Sequence, residues 1–358
     1  MTTKIAVLDD YKGHAAPAFA KLDPAKYEVS YFPDTLLPYG HPSTPQAEKD
    51  KLAARLEPFA IISTMRERTP FPAELVRRLP NLKLLLTTGN RNLGLDLDAF
   101  KKQHVPVAGA LGTSVPAGQR SPTGVPDSTT QHFVTLLLAA ARNVPADDLS
   151  VKTGGWQTGL PPFGLGGKTY ATLGLGRLGA STAKLLHLAF GMKVVAWSEN
   201  LTQAKADAAA ESVGLPAGTF TAVSRHDLFS TADVLAIHVV LSDRSRGLVT
   251  KADLELMKQD SIFINTSRGP IVVEQDLLDV LRRGRINRAA LDVFDIEPLP
   301  KDSPWRTTAW GGGDGSSQVV LTPHMGYGEG STMNAWYEVQ VDNIGRWARG
   351  EELLFPMA

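Results

Sequence analysis

The run Lys168-Thr-Tyr-Ala-Thr-Leu followed by Gly174-Leu-Gly176-Arg177-Leu178-Gly179 constrains this chain more than any other stretch. A short β-rich segment feeds three glycines, and Ala180 to Phe190 then reads as a helix. Strand, glycine turn and helix in that order form the dinucleotide-binding fingerprint. Gly174 lets the chain turn tightly, Gly176 lets the backbone approach a pyrophosphate, and Gly179 lets helix and strand pack closely. The helix N-terminus offers unpaired N–H groups and the positive end of its dipole to the phosphates.

The fingerprint falls late in a chain of 358 residues, so something the size of a domain precedes it and two domains are expected. The 37 basic and 37 acidic side chains cancel, which argues against nucleic acid or an anionic membrane as partner. With no cysteine there are no disulfides, thiolate metal sites or cysteine nucleophile, and no metal site is expected. Met1-Thr-Thr-Lys4 runs straight into the strand-like Ile5–Leu8, and the longest apolar stretch, Phe133 to Ala141, is too short to span a bilayer. A cytoplasmic protein is the expectation.

Short β-rich runs at 4–8, 27–32, 59–63, 82–87 and 105–108 alternate with helical spacing at 45–56 and 72–79. Alternation of this kind implies a parallel sheet covered by helices on both faces. Residues 111–127 read as a linker or loop, and Asp127-Ser-Thr-Thr130 offers N-caps for a long helix ending near Asn143. Gly154 to Gly167 reads as irregular, anchored by Trp156 and Phe163. A second block has strands at 169–173, 193–197, 234–240, 261–265, 288–293 and 318–322, and helices at 178–190, 202–212, 225–230, 250–258 and 273–283. Residues 306–317 read as an exposed glycine-rich loop, and a last helix covers 331–349.

A carboxylate about 20 residues beyond the glycines normally accepts the adenosine ribose hydroxyls of NAD. Val194–Trp197 is the second strand of this block, and Ser198-Glu199 ends it, so Glu199 is the available acid. NADP would call for Arg or Lys there, and the nearest is Lys205 inside the next helix, so NAD is favoured.

Three later segments pair a strand end with a polar residue: Ile264-Asn-Thr266-Ser267-Arg268-Gly-Pro, Ala290-Leu-Asp292-Val-Phe-Asp-Ile-Glu297-Pro, and Leu321-Thr-Pro-His324-Met-Gly326. In open α/β sheets ligands bind beyond the carboxyl ends of the strands, so Arg268, Asp292, Glu297 and His324 are candidates for one crevice. With the glycine loop, these ordered motifs resemble the D-isomer-specific 2-hydroxyacid dehydrogenase family over most of the chain. Ala236-Ile-His238-Val239-Val240-Leu241 is similar to the family's strand and loop against the adenine, with Val240 where Pro is usual.

The resemblance implies a Rossmann NAD-binding domain, residues 121–322, inserted into a flavodoxin-like substrate domain, residues 1–120 plus 323–358. Both are doubly wound parallel-sheet α/β domains. It implies a homodimer formed through the nucleotide domains, with 128–165 contributing, and NAD-dependent interconversion of a small 2-keto acid and its D-2-hydroxy acid. That chemistry needs a carboxylate held, a carbonyl polarised and a proton supplied. Arg268 suits the first two through planar paired donors. His324 suits the third, with Glu297 holding its imidazole.

By the same resemblance Asp292 binds the nicotinamide carboxamide, and the turn Thr87-Thr-Gly89-Asn90-Arg91 gives backbone N–H groups to the substrate carboxylate. The family commonly has glycine where Arg91 stands. Tyr327 is a candidate pocket wall. The expected cofactor contacts are Gly174, Gly176, Arg177, Leu178, Gly179, Ser198, Glu199, His238, Val239, Val240, Thr266, Ser267, Asp292 and Gly326. His132 and His187 read as structural, Trp336 and Tyr337 as core, and Asp96 as a helix cap. A non-catalytic NAD-sensing regulator of the same fold and a phosphite-type dehydrogenase are the alternatives. A formate-type enzyme usually has glutamine in place of the Glu297 carboxylate.

Overall fold

The computed structural model describes residues 2–111, 127–311 and 315–357. The chain divides into two compact units, residues 1–121 with 296–298 and 328–358, and residues 122–295 with 299–327. The expected 111–127 linker lies almost wholly outside the described residues.

In the first unit, β1 (Thr3–Leu8), β2 (Tyr27–Phe32), β3 (Ile61–Thr64), β4 (Leu84–Thr87) and β5 (Val107–Ala108) form a parallel sheet in the order β2-β1-β3-β4-β5. This is the flavodoxin-like order, with its switch point between β1 and β3. One face of the sheet packs Ala6, Leu8, Ile62 and Leu85 against Leu52, Leu56, Leu75 and Phe100. The helix Leu97–Lys102 starts as expected at Asp96, whose carboxylate accepts from the Ala99 N–H at 3.0 Å. The final helix, Gly330–Ala348, belongs to this unit and buries Trp336 and Tyr337, the latter edge-on to Phe19.

In the second unit, β6 (Thr169–Leu173), β7 (Lys193–Trp197), β8 (Phe220–Ala222), β9 (Val234–Ile237), β10 (Ile262–Asn265), β11 (Arg288–Leu291) and β12 (Gln318–Leu321) form a seven-stranded parallel sheet ordered β12-β11-β10-β9-β6-β7-β8. The period-two alternation decides its two cores. Tyr170, Val194, Val234, Ala236, Ile264 and Ala290 face one cluster, while Ala171, Leu173, Leu235, Ile237, Phe263 and Leu291 face the other. Chain order reverses between β6 and β9, which makes their carboxyl ends the switch point where such sheets bind ligands.

Several local expectations change. Val144–Lys152 is a helix where none was expected, and β8 and the short helix Pro304–Thr307 were likewise not anticipated. Trp156 is 75% exposed and anchors nothing, whereas Phe163 is buried beneath Lys168 and Arg288. The 306–317 segment is not simply an exposed loop. Trp310 stacks on buried Trp305 at 5.6 Å, and buried Ser317 donates to the carbonyls of Leu281 and Ile286; residues 312–314 lie outside the described residues. Residues 323–327, expected with the first domain, cluster with the second, because the Met325 and Gly326 N–H groups are bonded to Asp292.

Candidate active site

The glycine turn follows β6. Gly174 has φ +99°, and a Cβ there would lie 2.8 Å from Val239 and 2.9 Å from the His238 carbonyl carbon, so the close approach of the β6 and β9 ends demands glycine. Gly179 is buried, and its Cβ would stand 2.4 Å from the Gly174 carbonyl oxygen. Gly176 differs: its φ is ordinary, and a Cβ would meet no atom within 4 Å. It precedes the helix Arg177–Phe190 with no side-chain cap, so no cap side chain serves the first N–H groups of that helix. Two glycines thus serve packing and the third keeps space clear, which fits a pyrophosphate at the helix terminus. Arg177 is held by Asp127 at 2.5 Å, and Leu178 is half-buried beside it.

Beyond β7 lies a cavity of about 540 Å³ lined by Trp197, Ser198, Glu199, Arg225, Val239 and Arg244, among others. Glu199 is exposed at its edge, and Val240 is 60% exposed beside Val239. Arg225 stands over the Trp197 ring at 5.5 Å while its guanidinium is spent on both Asp253 oxygens, at 2.9 and 2.8 Å. The cavity thus offers an exposed acid and an aromatic wall, in keeping with an adenosine ribose. His238, after β9, sits 3.0 Å from the Tyr170 hydroxyl and packs on Phe133. Burial pushes its imidazole down to about 4, so it is neutral at pH 7 and suits a cofactor rim better than proton transfer.

The ends of β10, β11 and β12 carry the remaining groups of this unit. After β10, buried Thr266 leads to Ser267, whose hydroxyl donates to the Val239 carbonyl at 2.6 Å. Arg268 is half-buried, and its carbonyl accepts from Asn265 Nδ2 at 3.0 Å. Gly269 is fixed by crowding, since a Cβ there would fall 2.0 Å from the Phe294 carbonyl carbon. That contact ties the Arg268 turn to the segment after β11. Asp292, at the end of β11, is 1% exposed. It accepts from Thr322 Oγ1 at 2.6 Å, Met325 N at 2.8 Å, Gly326 N at 2.9 Å and His132 Nε2 at 3.1 Å. Burial opposes its ionisation, but the His132, Thr322 and Met325 hydrogen bonds prevail and hold the carboxyl below the usual range.

His324 follows β12 with φ +53°, a left-handed conformation uncommon for a side-chain-bearing residue. Its N–H donates to the Thr322 carbonyl at 3.0 Å, and its ring meets Tyr327 edge-on at 6.4 Å. Backbone strain of this kind is retained where surrounding contacts hold it, here the two N–H bonds from the next residues to Asp292.

Glu297 belongs to the first unit, where its carboxylate pairs with Arg68 at 3.2 Å. The same unit holds the turn after β4. Gly89 has φ +77°, and a Cβ there would meet the Arg66 guanidinium at 2.9 Å, while Asn90 and Arg91 are exposed. Buried Asn92 ties the turn together, donating to the Arg66 carbonyl at 2.5 Å and to Thr87 Oγ1 at 3.0 Å. Asp9, at the end of β1, is buried, which raises its carboxyl to about 6 despite hydrogen bonds from Thr35 and Thr69 at 2.5 and 2.8 Å. Asn92, Arg66, Arg68 and the His132–Asp292 contact were not visible in the sequence, because each depends on elements tens of residues away meeting within its own unit. Among the described residues no group of three or more His, Asp or Glu side chains is arranged to hold a metal.

Residues 134–326 match the family model described as D-isomer specific 2-hydroxyacid dehydrogenase, NAD binding domain. The chain is 27% identical to a hydroxypyruvate reductase of Blautia hydrogenotrophica over 86% of its own length and 88% of the relative's. It is 33% identical to a D-3-phosphoglycerate dehydrogenase of Mycobacterium bovis over 78% of its length, but spans only 47% of that protein. A phosphoglycerate oxidoreductase from Vibrio cholerae superposes with a TM-score of 0.78 at 30% identity, covering 98% of this chain and all of that one. The chain therefore belongs to the D-isomer specific 2-hydroxyacid dehydrogenase family, NAD-dependent oxidoreductases acting on CH–OH groups.

Proposed function

We propose that this protein reduces a 2-keto acid to the D-2-hydroxy acid and catalyses the reverse. The observation that carries the reading is the gathering of Arg268, Asp292 and His324 at the carboxyl ends of three neighbouring strands, in the unit that carries the glycine turn. Bound NADH supplies the hydride. Arg268 holds the substrate carboxylate and draws electron density from the carbonyl oxygen through its fork of N–H donors. His324, protonated, gives its Nε2 or Nδ1 proton to that oxygen as the alkoxide forms, and takes it back in alcohol oxidation. Glu297 is the carboxylate that the family resemblance implies for the acid–base pair. Asp292 accepts from the nicotinamide carboxamide, and Glu199 takes the ribose hydroxyls. By the family resemblance Gly89, Asn90 and Arg91 are substrate-binding candidates, and Tyr327 is a candidate pocket wall.

We further propose a homodimer. Helix Val144–Lys152 buries none of its residues, and Leu149 and Trp156, 62% and 75% exposed, are apolar side chains that a second copy of this region would cover. No helix among the described residues is long and apolar enough to cross a membrane.

The test is loss of NADH absorbance with glyoxylate, hydroxypyruvate, pyruvate, 2-ketoisocaproate, phenylpyruvate and benzoylformate. Turnover that disappears in His324→Ala with NADH binding intact is the expected result. Clear NADH binding without turnover of any acid would replace the enzyme by an NAD-sensing regulator.

A further inference from the structure

His132 stands on the helix Ser128–Ala141, far in sequence from the glycine turn and the three strand-end motifs. Its side chain is 19% exposed, and Nε2 lies 3.1 Å from Asp292 Oδ1 and 3.0 Å from Thr322 Oγ1. The direction of these bonds follows from a proton count. Ionised Asp292 only accepts, and Thr322 has one hydroxyl proton, spent on Oδ1 at 2.6 Å. Nε2 must therefore carry a proton and donate it, to Oδ1 and to the remaining lone pair of Thr322. Among the described residues Oδ1 then takes three donors, His132, Thr322 and Met325 N–H, while Oδ2 takes the Gly326 N–H alone. Capacity for a further donor is left on Oδ2.

The same helix touches the turn from a second side. A Cβ on Gly326 would lie 3.6 Å from Thr129 Cγ2 and 3.8 Å from His132 Cδ2, and the next residue, Phe133, packs on Tyr170 and His238.

We infer that His132 is a positioning residue for the nicotinamide end of the cofactor: by saturating Oδ1 it fixes the rotation of the Asp292 carboxylate so that Oδ2 presents its free lone pair to the carboxamide. The inference rests on the reading of Asp292 as the carboxamide's partner. Without the His132 donor the carboxylate is held by Thr322 and the Met325 and Gly326 N–H groups alone, and its setting about χ2 loosens.

Binding of NADH and of ADP-ribose, which lacks the nicotinamide, separates this role from a merely structural one. In His132→Phe, which keeps the ring but has no donor, NADH should bind about tenfold more weakly, the lower end of what a hydrogen bond to a charged group contributes. ADP-ribose affinity should stay within about twofold of wild type. His132→Gln, whose amide nitrogen reaches the same point, should restore NADH affinity to within about threefold. Should His132→Phe fail to fold, Thr322→Val removes another Oδ1 donor and should show the same NADH-selective loss.

Equal weakening of both ligands, or no change in NADH affinity, would overturn the inference. Asp292→Asn distinguishes the two levels. If it too leaves the NADH to ADP-ribose ratio unchanged, the assignment of Asp292 fails and the inference with it. If Asp292→Asn loses NADH selectively while the His132 and Thr322 variants do not, the inference alone fails.

Discussion

The three fingerprint glycines should fail in different ways when each is changed to alanine. In Gly179→Ala the new methyl falls 2.4 Å from the Gly174 carbonyl oxygen, inside the 3.0 Å that real Cβ atoms respect, and the obstacle is backbone. Overpacking of this kind costs about 1–3 kcal/mol, offset by up to about 1 kcal/mol of helix propensity. A net loss of ~1–2 kcal/mol lowers the melting temperature of a unit this size by roughly 2–8 °C. In Gly176→Ala nothing lies within 4 Å and φ is −77°. Only the poorer N-cap preference of alanine acts, at about 1 kcal/mol or less. On the proposed reading the same methyl would crowd the pyrophosphate at the helix N-terminus, so NADH affinity should drop at least about tenfold, or ~1.4 kcal/mol. Thermal unfolding of the ligand-free protein and NADH titration read the two effects separately. If Gly176→Ala melts as low as Gly179→Ala yet binds NADH normally, the division of labour between packing and ligand glycines is wrong.

Asp9 should make stability fall as pH rises. Its folded carboxyl is raised from 3.8 to about 6, chiefly by burial, so between those values the native state holds more proton and loses stability with increasing pH. The cost reaches about 3 kcal/mol above pH 6, and Asp9→Asn should gain that much on wild type between pH 4 and pH 7.5 in denaturant titrations; a pH-independent difference would discredit the assignment. Arg268→Lys keeps the charge but loses the fork, and kcat/KM for a keto acid should fall roughly 100-fold; an unchanged value would remove Arg268 from the reacting centre. Paired Leu149→Ser and Trp156→Ser substitutions should give a monomer by sedimentation if helix 144–152 forms the dimer contact, and an unaltered dimer would place the interface elsewhere.

Legibility in the sequence followed locality. β6 and β7 have the bounds expected from their apolar runs, and helix 177–190 begins within a residue of expectation. Strands β9 and β11 end earlier than their patterns suggested because the chain turns away at His238 and Asp292, polar residues at the rim, where ladder bonding gives way to site geometry. Helix 144–152 escaped notice because its apolar residues lie on its exposed surface, so no buried stripe marks it. Trp156 misled for a related reason: a large aromatic residue suggests a core, but a surface suited to a second chain uses the same residue types.

Adjacent residues of one strand–turn–helix unit determined the nucleotide fold, the two-sided burial of its parallel strands and the identity of the glycine turn, because backbone sterics and period-two patterning act over a few residues. Tertiary structure alone decided that Asp292 is ringed by His132, Thr322 and the Met325 and Gly326 N–H groups, that Arg66 lies against Gly89, and that Glu297 pairs with Arg68. These contacts join positions as much as 229 residues apart. Their strength comes from burial, which converts an ordinary polar side chain into one that must find its partners, and burial is a property of each assembled unit rather than of any segment that contributes to it.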